Sequence, residues 1–364
     1  MCIRDSASYL HFRLNFYSVP FAASLMFTTL GLWLWLKATP ERHPGRGEHV
    51  HVGSWSVAGA QPLSLRHLAA GAACIAANFG CRPTFALSAL LCFPIFWPQI
   101  TSLLQGLKSR SLPPRKALRA PAAVIIPALI VVLPLMAYNV ARFGSPLDFG
   151  NDYQMTVTDM TRFVQPTANF LPSVGAYLFL PLRFTSEFPF IGMTPMAFRE
   201  WGYYELMAGG LFTACPLLLL ALEAPFLRRR MHRSGYWGLA TCSLALAVLL
   251  AVFDSHTAGL GWRYICDFGW MMAIAALAPM LYLMHPGGDA IAAGAPDPSE
   301  RNEPRRDVTK RHPMVLACVR GLVVAVLMAS IILAVLACFI PGRDDSLINN
   351  NPVLYDTVVA WFRL

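Results

Sequence analysis

The sequence predicts an all-α, polytopic transmembrane helical bundle, and three observations carry that expectation. Of the 364 residues, 56% are hydrophobic and only 13% are charged, whereas ordinary globular domains carry roughly 25% charged residues. Mean hydropathy is +0.49. Apolar runs near the roughly 20 residues that a spanning helix needs recur along the chain, leaving room for about seven or eight spans. The connecting loops are too short for a soluble catalytic domain. The same composition disfavours disorder, a coiled coil and a disulfide-stapled secreted fold.

Taken in order, the spanning runs are Leu14–Leu36, Pro121–Val140, Tyr203–Leu227, Tyr236–Phe253, Tyr264–Met284 and Met314–Ile340. Between the first two lies Leu68–Ile100, interrupted by Gly80-Cys81-Arg82-Pro83. Proline removes a backbone donor and breaks a helix, so this segment reads as a hairpin of two short helices. The domain reading is 1–6 as an artefact, 7–284 as the helical region with an outer loop at 142–200, 285–313 as a cytoplasmic linker, 314–340 as the last span, and 341–364 as an outer tail. That tail carries Val353, Leu354, Val358, Val359, Trp361 and Phe362, a short amphipathic pattern suited to a membrane interface.

Orientation comes from the basic loops. Lys37, Arg42 and Arg46, then Lys108, Arg110, Arg115, Lys116 and Arg119, then Arg228, Arg229, Arg230 and Arg233 should be cytoplasmic, as should the linker with Arg301, Arg305, Arg306, Lys310 and Arg311. This accounts for the net charge of +9 without nucleic acid, because the cations fall in short blocks beside apolar segments. Tyr153, Trp201, Tyr203, Tyr204, Trp262 and Trp270 sit at span boundaries as an aromatic belt. The nine cysteines form no C-x-x-C pair and lie mostly within apolar runs, where they read as small hydrophobes.

The opening Met1–Ser6 resembles translated sequencing adapter rather than a signal peptide. The expectation is a metagenomic fragment whose natural N-terminus lies upstream.

The chemistry concentrates in the loop that begins Tyr138-Asn139 and continues Arg142-Phe143-Gly144-Ser145-Pro146-Leu147-Asp148-Phe149-Gly150. The string Y-N-x-x-R-F-G-S-P-x-D-F-G-x-x-Y-Q resembles one found in bacterial GT-C class glycosyltransferases of the protein-O-mannosyltransferase-like family, and the resemblance covers Leu68 to the C-terminus. It implies a GT-C-like fold in the bacterial cytoplasmic membrane. It also implies transfer of a sugar from a polyprenyl-phosphate lipid to a glycan or protein acceptor at the outer face. The family's essential carboxylates lie in the first outer loop, which this chain does not show, so no catalytic residue is assigned and no cofactor is named. The string Gly261-Trp262-Arg263-Tyr264 resembles the start of a late helix in the same enzymes, but Asp267 and Gly269 stand where prolines often occur.

Arginine binds phosphate through bidentate hydrogen bonds, which makes Arg142, Arg162, Arg183 and Arg263 candidates for a lipid phosphate. Arg142 and Arg162 have a structural alternative, pairing with Asp148, Asp152 or Asp159 to stiffen the loop. Arg183 falls in Asn169–Phe190, which reads as an interfacial helix from which it would snorkel. Arg263 and Asp267 stand one helical turn apart and read as an ion pair. Arg82, at the hairpin break, either faces a lipid phosphate or caps freed carbonyls. Asp148 and Asp152 complete the candidate binding set. The spacing of Asp148, Asp152 and Asp159 departs from a calcium loop, and His43, His49 and His51 lack a carboxylate partner, so no metal is expected. A lipid or glycan transporter or flippase, and a non-catalytic membrane scaffold, remain the alternative functions.

Overall fold

The computed structural model describes residues 18–39, 54–55, 62–150, 153, 164–226, 236–284, 313–342 and 346–362. Met1–Ser6, the three histidines 43, 49 and 51, Asp152, Asp159, Arg162, Arg228 and most of the 285–313 linker lie outside them. The chain divides into two compact units, Val19–Phe163 and Val164–Leu364, the second also taking Met1–Ser18.

In the N-terminal unit, α1 (Ser18–Ala38) is followed by a two-residue pairing of β1 (Ser54–Trp55) with β2 (Leu63–Ser64) and then by α2 (Leu65–Cys81). Helices α1 and α2 meet at two glycines. A Cβ on Gly71 would lie 2.9 Å from the Gly31 carbonyl oxygen, and one on Gly31 would lie 3.1 Å from the Gly71 carbonyl oxygen. Small residues let helix backbones approach this closely when apolar surroundings give the helices little other reason to associate. Trp35, 1% exposed, packs there and donates its indole N–H to the Leu68 carbonyl at 3.2 Å. Further along, buried Asn78 donates to the Thr28 hydroxyl at 2.9 Å.

The chain breaks at Arg82, as the Gly80–Pro83 pattern predicts. Beyond the break, a 3-10 run over Pro83–Leu91 leads into α3 (Cys92–Ile95) and then, after a 65° bend, α4 (Trp97–Lys108). The second arm is therefore longer than a short helix and is itself bent. Its bend falls between Ile95 and Trp97-Pro98, where proline cannot donate to the preceding turn. Short α5 (Pro114–Ala117) leads into α6 (Arg119–Phe143), whose 25 residues include Pro127 and Pro134.

In the C-terminal unit, a 3-10 turn at Thr167–Asn169 opens α7 (Phe170–Phe179), followed by the hairpin β3 (Arg183–Phe184) and β4 (Ile191–Gly192). The run Tyr203–Leu227 expected as a span does not form one continuous helix over its described residues. Residues 203–210 are irregular, α8 is only Leu211–Ala214, and a 3-10 stretch covers Pro216–Glu223. Gly209, Gly210 and Pro216 explain this, since none of them supports a continuous helix at that point. The helices of this unit long and apolar enough to span are α9 (Tyr236–Thr257), α10 (Ile265–Met284, entered through a 3-10 turn at Trp262–Tyr264) and α11 (Pro313–Ala337). Short α12 (Leu347–Asn350) and α13 (Pro352–Ala360) end the described chain. Arg320 of α11 donates to the Met284 carbonyl, 2.7 Å away, at the end of α10. A cation at a helix C-terminus answers both an orphan carbonyl and the helix dipole.

Among the described residues, five helices are long and apolar enough to cross a membrane, or six if the bent pair around Phe96 counts as one span. This fits an all-α polytopic membrane protein.

The Gly31–Gly71 contact gives a test. Gly71→Val forces a branched side chain into Trp35 and the facing backbone, and should cost about 1–3 kcal/mol. Gly175→Ala, where a Cβ meets nothing within 4 Å, should cost nothing. Thermal melting of the two variants in the same detergent separates the outcomes.

Candidate functional site

The polar centre of the molecule lies in the C-terminal unit, where the irregular stretches 200–205 and 258–263 run beside α7. Their backbone groups need partners, and α7 with its preceding turn supplies them from side chains spaced four residues apart. Gln165 accepts the Tyr203 N–H at 3.2 Å, and Asn169 donates to the Glu200 carbonyl at 2.9 Å. The Tyr177 hydroxyl donates to the Gly259 carbonyl at 2.7 Å and accepts the Gly261 N–H at 2.9 Å. Ser173, fully buried, falls on the same face. The two stretches also bond to each other, Leu260 N–H to the Tyr203 carbonyl at 3.2 Å and Glu205 N–H to the Leu260 carbonyl at 2.7 Å. Gly259 has a φ of +85°, and a Cβ there would come 2.5 Å from the Tyr203 carbonyl oxygen. Only glycine meets both conditions.

This frame sets Glu205 against Arg263. Glu205 is 6% exposed. Its Oε1 accepts the Tyr203 hydroxyl at 2.5 Å and lies 4.0 Å from Nη1 of Arg263. Arg263 donates from Nη2 to the Tyr264 hydroxyl at 3.2 Å, and its guanidinium lies over the rings of Tyr203 and Tyr264, 5.3 and 5.0 Å from their centroids. A desolvated cation between two aromatic faces gains from both ring quadrupoles. Two further carboxylates, Asp254 near the end of α9 and Asp267 in the first turn of α10, are buried in the same unit.

Burial, and then the neighbouring Glu205 carboxylate, push the Tyr203 phenol well above its ordinary value. Burial likewise raises Tyr177, with smaller contributions from the Asp254 and Glu205 charges. Both phenols are therefore hydrogen-bond donors throughout the physiological range.

Beside this cluster a small apolar cleft of about 40 Å³, open at its mouth, lies between α11 and the 208–214 stretch. Trp262 and Ile265, on either side of Arg263 and Tyr264 in sequence, form part of its wall with Leu182, Gly210, Leu333 and Ala334. Among the described residues no group of three or more His, Cys, Asp or Glu side chains is placed to hold a metal ion.

Of the candidate binding residues that are described, Arg263 belongs to this cluster. Glu205 is one of its partners, and Asp267 lies fully buried in the first turn of α10. Arg183 stands on β3, exposed, rather than on an interfacial helix, because α7 ends at Phe179 ahead of Pro181. Arg142, Asp148 and Arg82 belong to the N-terminal unit. Arg142 donates to the Tyr138 hydroxyl at 2.9 Å, Asp148 accepts the Gly150 N–H at 2.8 Å, and Asn139 donates to the Pro146 carbonyl at 3.2 Å. The R-F-G-S-P-x-D-F-G residues thus knit their own turn after α6. The Arg82 guanidinium lies 3.9 Å over the Phe21 ring. The sequence reading placed Tyr203 only in the aromatic belt and did not single out Glu205 or Tyr177 for a site. The available signal was Glu205 itself, an acid inside an apolar run, which is expensive without a purpose.

This geometry carries two testable outcomes. Tyr177→Phe keeps the ring against Phe268, 5.6 Å away, but strands the Gly259 carbonyl and the Gly261 N–H, and should cost about 1–3 kcal/mol in a chemical or thermal melt. The raised phenols bind their protons more tightly folded than unfolded, so their contribution is full below the unfolded tyrosine value of about 10 and is lost as pH rises beyond it. Absorbance titration should show both tyrosines ionising only with unfolding, and Tyr203→Phe should remove part of that alkaline sensitivity.

No protein-family model matches this chain, and neither the curated proteins nor the solved structures contain a significant match to it.

Proposed function

We propose that this chain binds a polyprenyl-phosphate-linked sugar at the outer face of a bacterial cytoplasmic membrane, as part of a GT-C-like glycosyltransferase that passes the sugar to a glycan or protein acceptor. The observation that carries the reading is the position of Arg263. It is a mostly buried cation, steered by Glu205, Tyr203 and Tyr264, at the start of a candidate span and flanked in sequence by two wall residues of an apolar cleft. A cationic, hydrogen-bonding group next to an apolar slot suits a ligand with an anionic head and a hydrocarbon tail. Glycosyl transfer from such a donor leaves negative charge on the phosphate, and a preorganised guanidinium stabilises charge where it develops. The likeness of the 138–154 string to those enzymes supports the same direction.

A second reading, a lipid or glycan transporter or flippase, has its own observation in the 65° break at Phe96 and the 3-10 run after Arg82, because transporters build sites from discontinuous helices. Movement of a fluorescent lipid across a vesicle bilayer without sugar transfer would favour it.

The test is binding in lipid nanodiscs. Polyprenyl monophosphate should bind and the neutral polyprenol should bind at least about tenfold more weakly, since a charged hydrogen bond is worth about 1.5–3 kcal/mol. Arg263→Ala should remove that preference, and Arg183→Ala, on the exposed hairpin, should keep it. Equal binding of phosphate and alcohol would overturn the assignment.

A further inference from the structure

The C-terminal helix is the feature the proposed function leaves unused. α13 buries Tyr355 and Val359 on one face, yet Val353 is 76% exposed, Leu354 45% and Trp361 74%. Asp356 and Thr357 lie exposed between them. The helix begins at Asn351, whose side chain accepts the Leu354 N–H at 3.1 Å. It ends in an aromatic cluster, where Phe362 stacks on Phe188 of the β3–β4 turn with centroids 4.6 Å apart and planes at 11°, and Phe188 also meets Phe339, two residues past α11.

Depth within a bilayer can be read from the spans. α11 is a candidate span that ends at Ala337, and the bond from Arg320 to Met284 shows that its start lies at the end of α10. α10 and α11 therefore run antiparallel, and the end of α11 lies at the same level as the start of α10, where Trp262 and Arg263 are. The cleft wall agrees, since it combines Trp262 and Ile265 with Leu333, Ala334 and Ala337. A tail tied to Phe339 cannot lie far from that membrane boundary. Exposed Trp201, Tyr204 and Phe184 belong to segments at this same end, as expected of an interfacial aromatic belt.

We propose that α13 lies in the headgroup layer of the bilayer with Val353, Leu354 and Trp361 immersed in lipid, and that through the Phe362–Phe188 stack it holds the β3–β4 hairpin at that depth. The partner of this surface is the membrane lipid itself. Val353, Leu354 and Trp361 share one flank with Thr357, whose hydroxyl is satisfied by the Val353 carbonyl at 2.7 Å, while Asp356 lies off that flank, as an element lying in the interface plane requires. Ile191 of β4 lines the cleft, so the tail also fixes where one wall of the cleft meets the lipid. The inference stands without the proposed sugar chemistry, because it uses only the spans, the exposures and the aromatic cluster.

The experiment is depth-dependent quenching of tryptophan fluorescence in the full chain reconstituted in phosphatidylcholine vesicles. The Trp361 signal is the difference between the unmodified protein and Trp361→Phe, a change at an exposed position that leaves the core alone. Lipids brominated near the carbonyl end of the acyl chain should remove more of this signal than lipids brominated near the methyl end, and aqueous iodide should remove little. Strong quenching by iodide with none by either lipid would overturn the proposal, as would strongest quenching by the deep bromines. A second variant, Phe362→Ala, should shift the Trp361 signal toward iodide accessibility. An unchanged signal would show that the stack on Phe188 does not set the depth.

Discussion

Inside or beside a bilayer, a backbone that is not helical must find its hydrogen bonds within the protein. The C-terminal unit depends on that constraint. Its stretches 200–205 and 258–263 are irregular, and the cost of each unmet group would run to several kcal/mol. One phenolic hydroxyl, on Tyr177, meets both a carbonyl and an N–H of the second stretch, while Gln165 and Asn169 hold the first. Because those bonds fix where the two stretches lie, they also fix how near Arg263 comes to Glu205.

This arrangement accounts for an otherwise awkward set of charges. Glu205, Asp254 and Asp267 are all nearly or wholly buried in one unit. Buried ionisable groups are costly unless partnered. Glu205 is held by a phenol and a guanidinium together, and Asp267 occupies the first turn of α10, where the helix dipole favours an anion. Asp254 sits where α9 ends, and its carbonyl accepts the N–H groups of Ala258 and Gly259 that turn the chain back. The polar centre is thus integrated with the helix ends that surround it.

Composition and hydropathy made the membrane class and most helix positions legible. Ser18–Ala38, Arg119–Phe143, Tyr236–Thr257 and Pro313–Ala337 each fall close to an apolar run. The failure at Tyr203–Leu227 has a physical origin, since apolarity reports burial and says nothing of continuity, and Gly209, Gly210 and Pro216 broke what hydropathy joined. The candidate site was less legible. Arg263 stood out because it is a cation at a span mouth. Glu205 comes from fifty-odd residues earlier, and Tyr177 from further still, through pairings that no local pattern announces. The R-F-G-S-P-x-D-F-G string stood out for its turn chemistry, and the bonds of Asn139 and Asp148 show that turn chemistry is much of what it encodes.

The bond from Arg320 to the Met284 carbonyl bears on how this gene can change. It brings together the ends of α10 and α11 through side-chain contact, so their alignment does not rest on the residues numbered 285–312. Closure entropy grows slowly with the length of a connection, by about 0.6 kcal/mol for each doubling. Changes in the length of that connection therefore cost the alignment of the two helices little. Such length changes leave the arginine about two turns inside α11 tied to the carbonyl it caps.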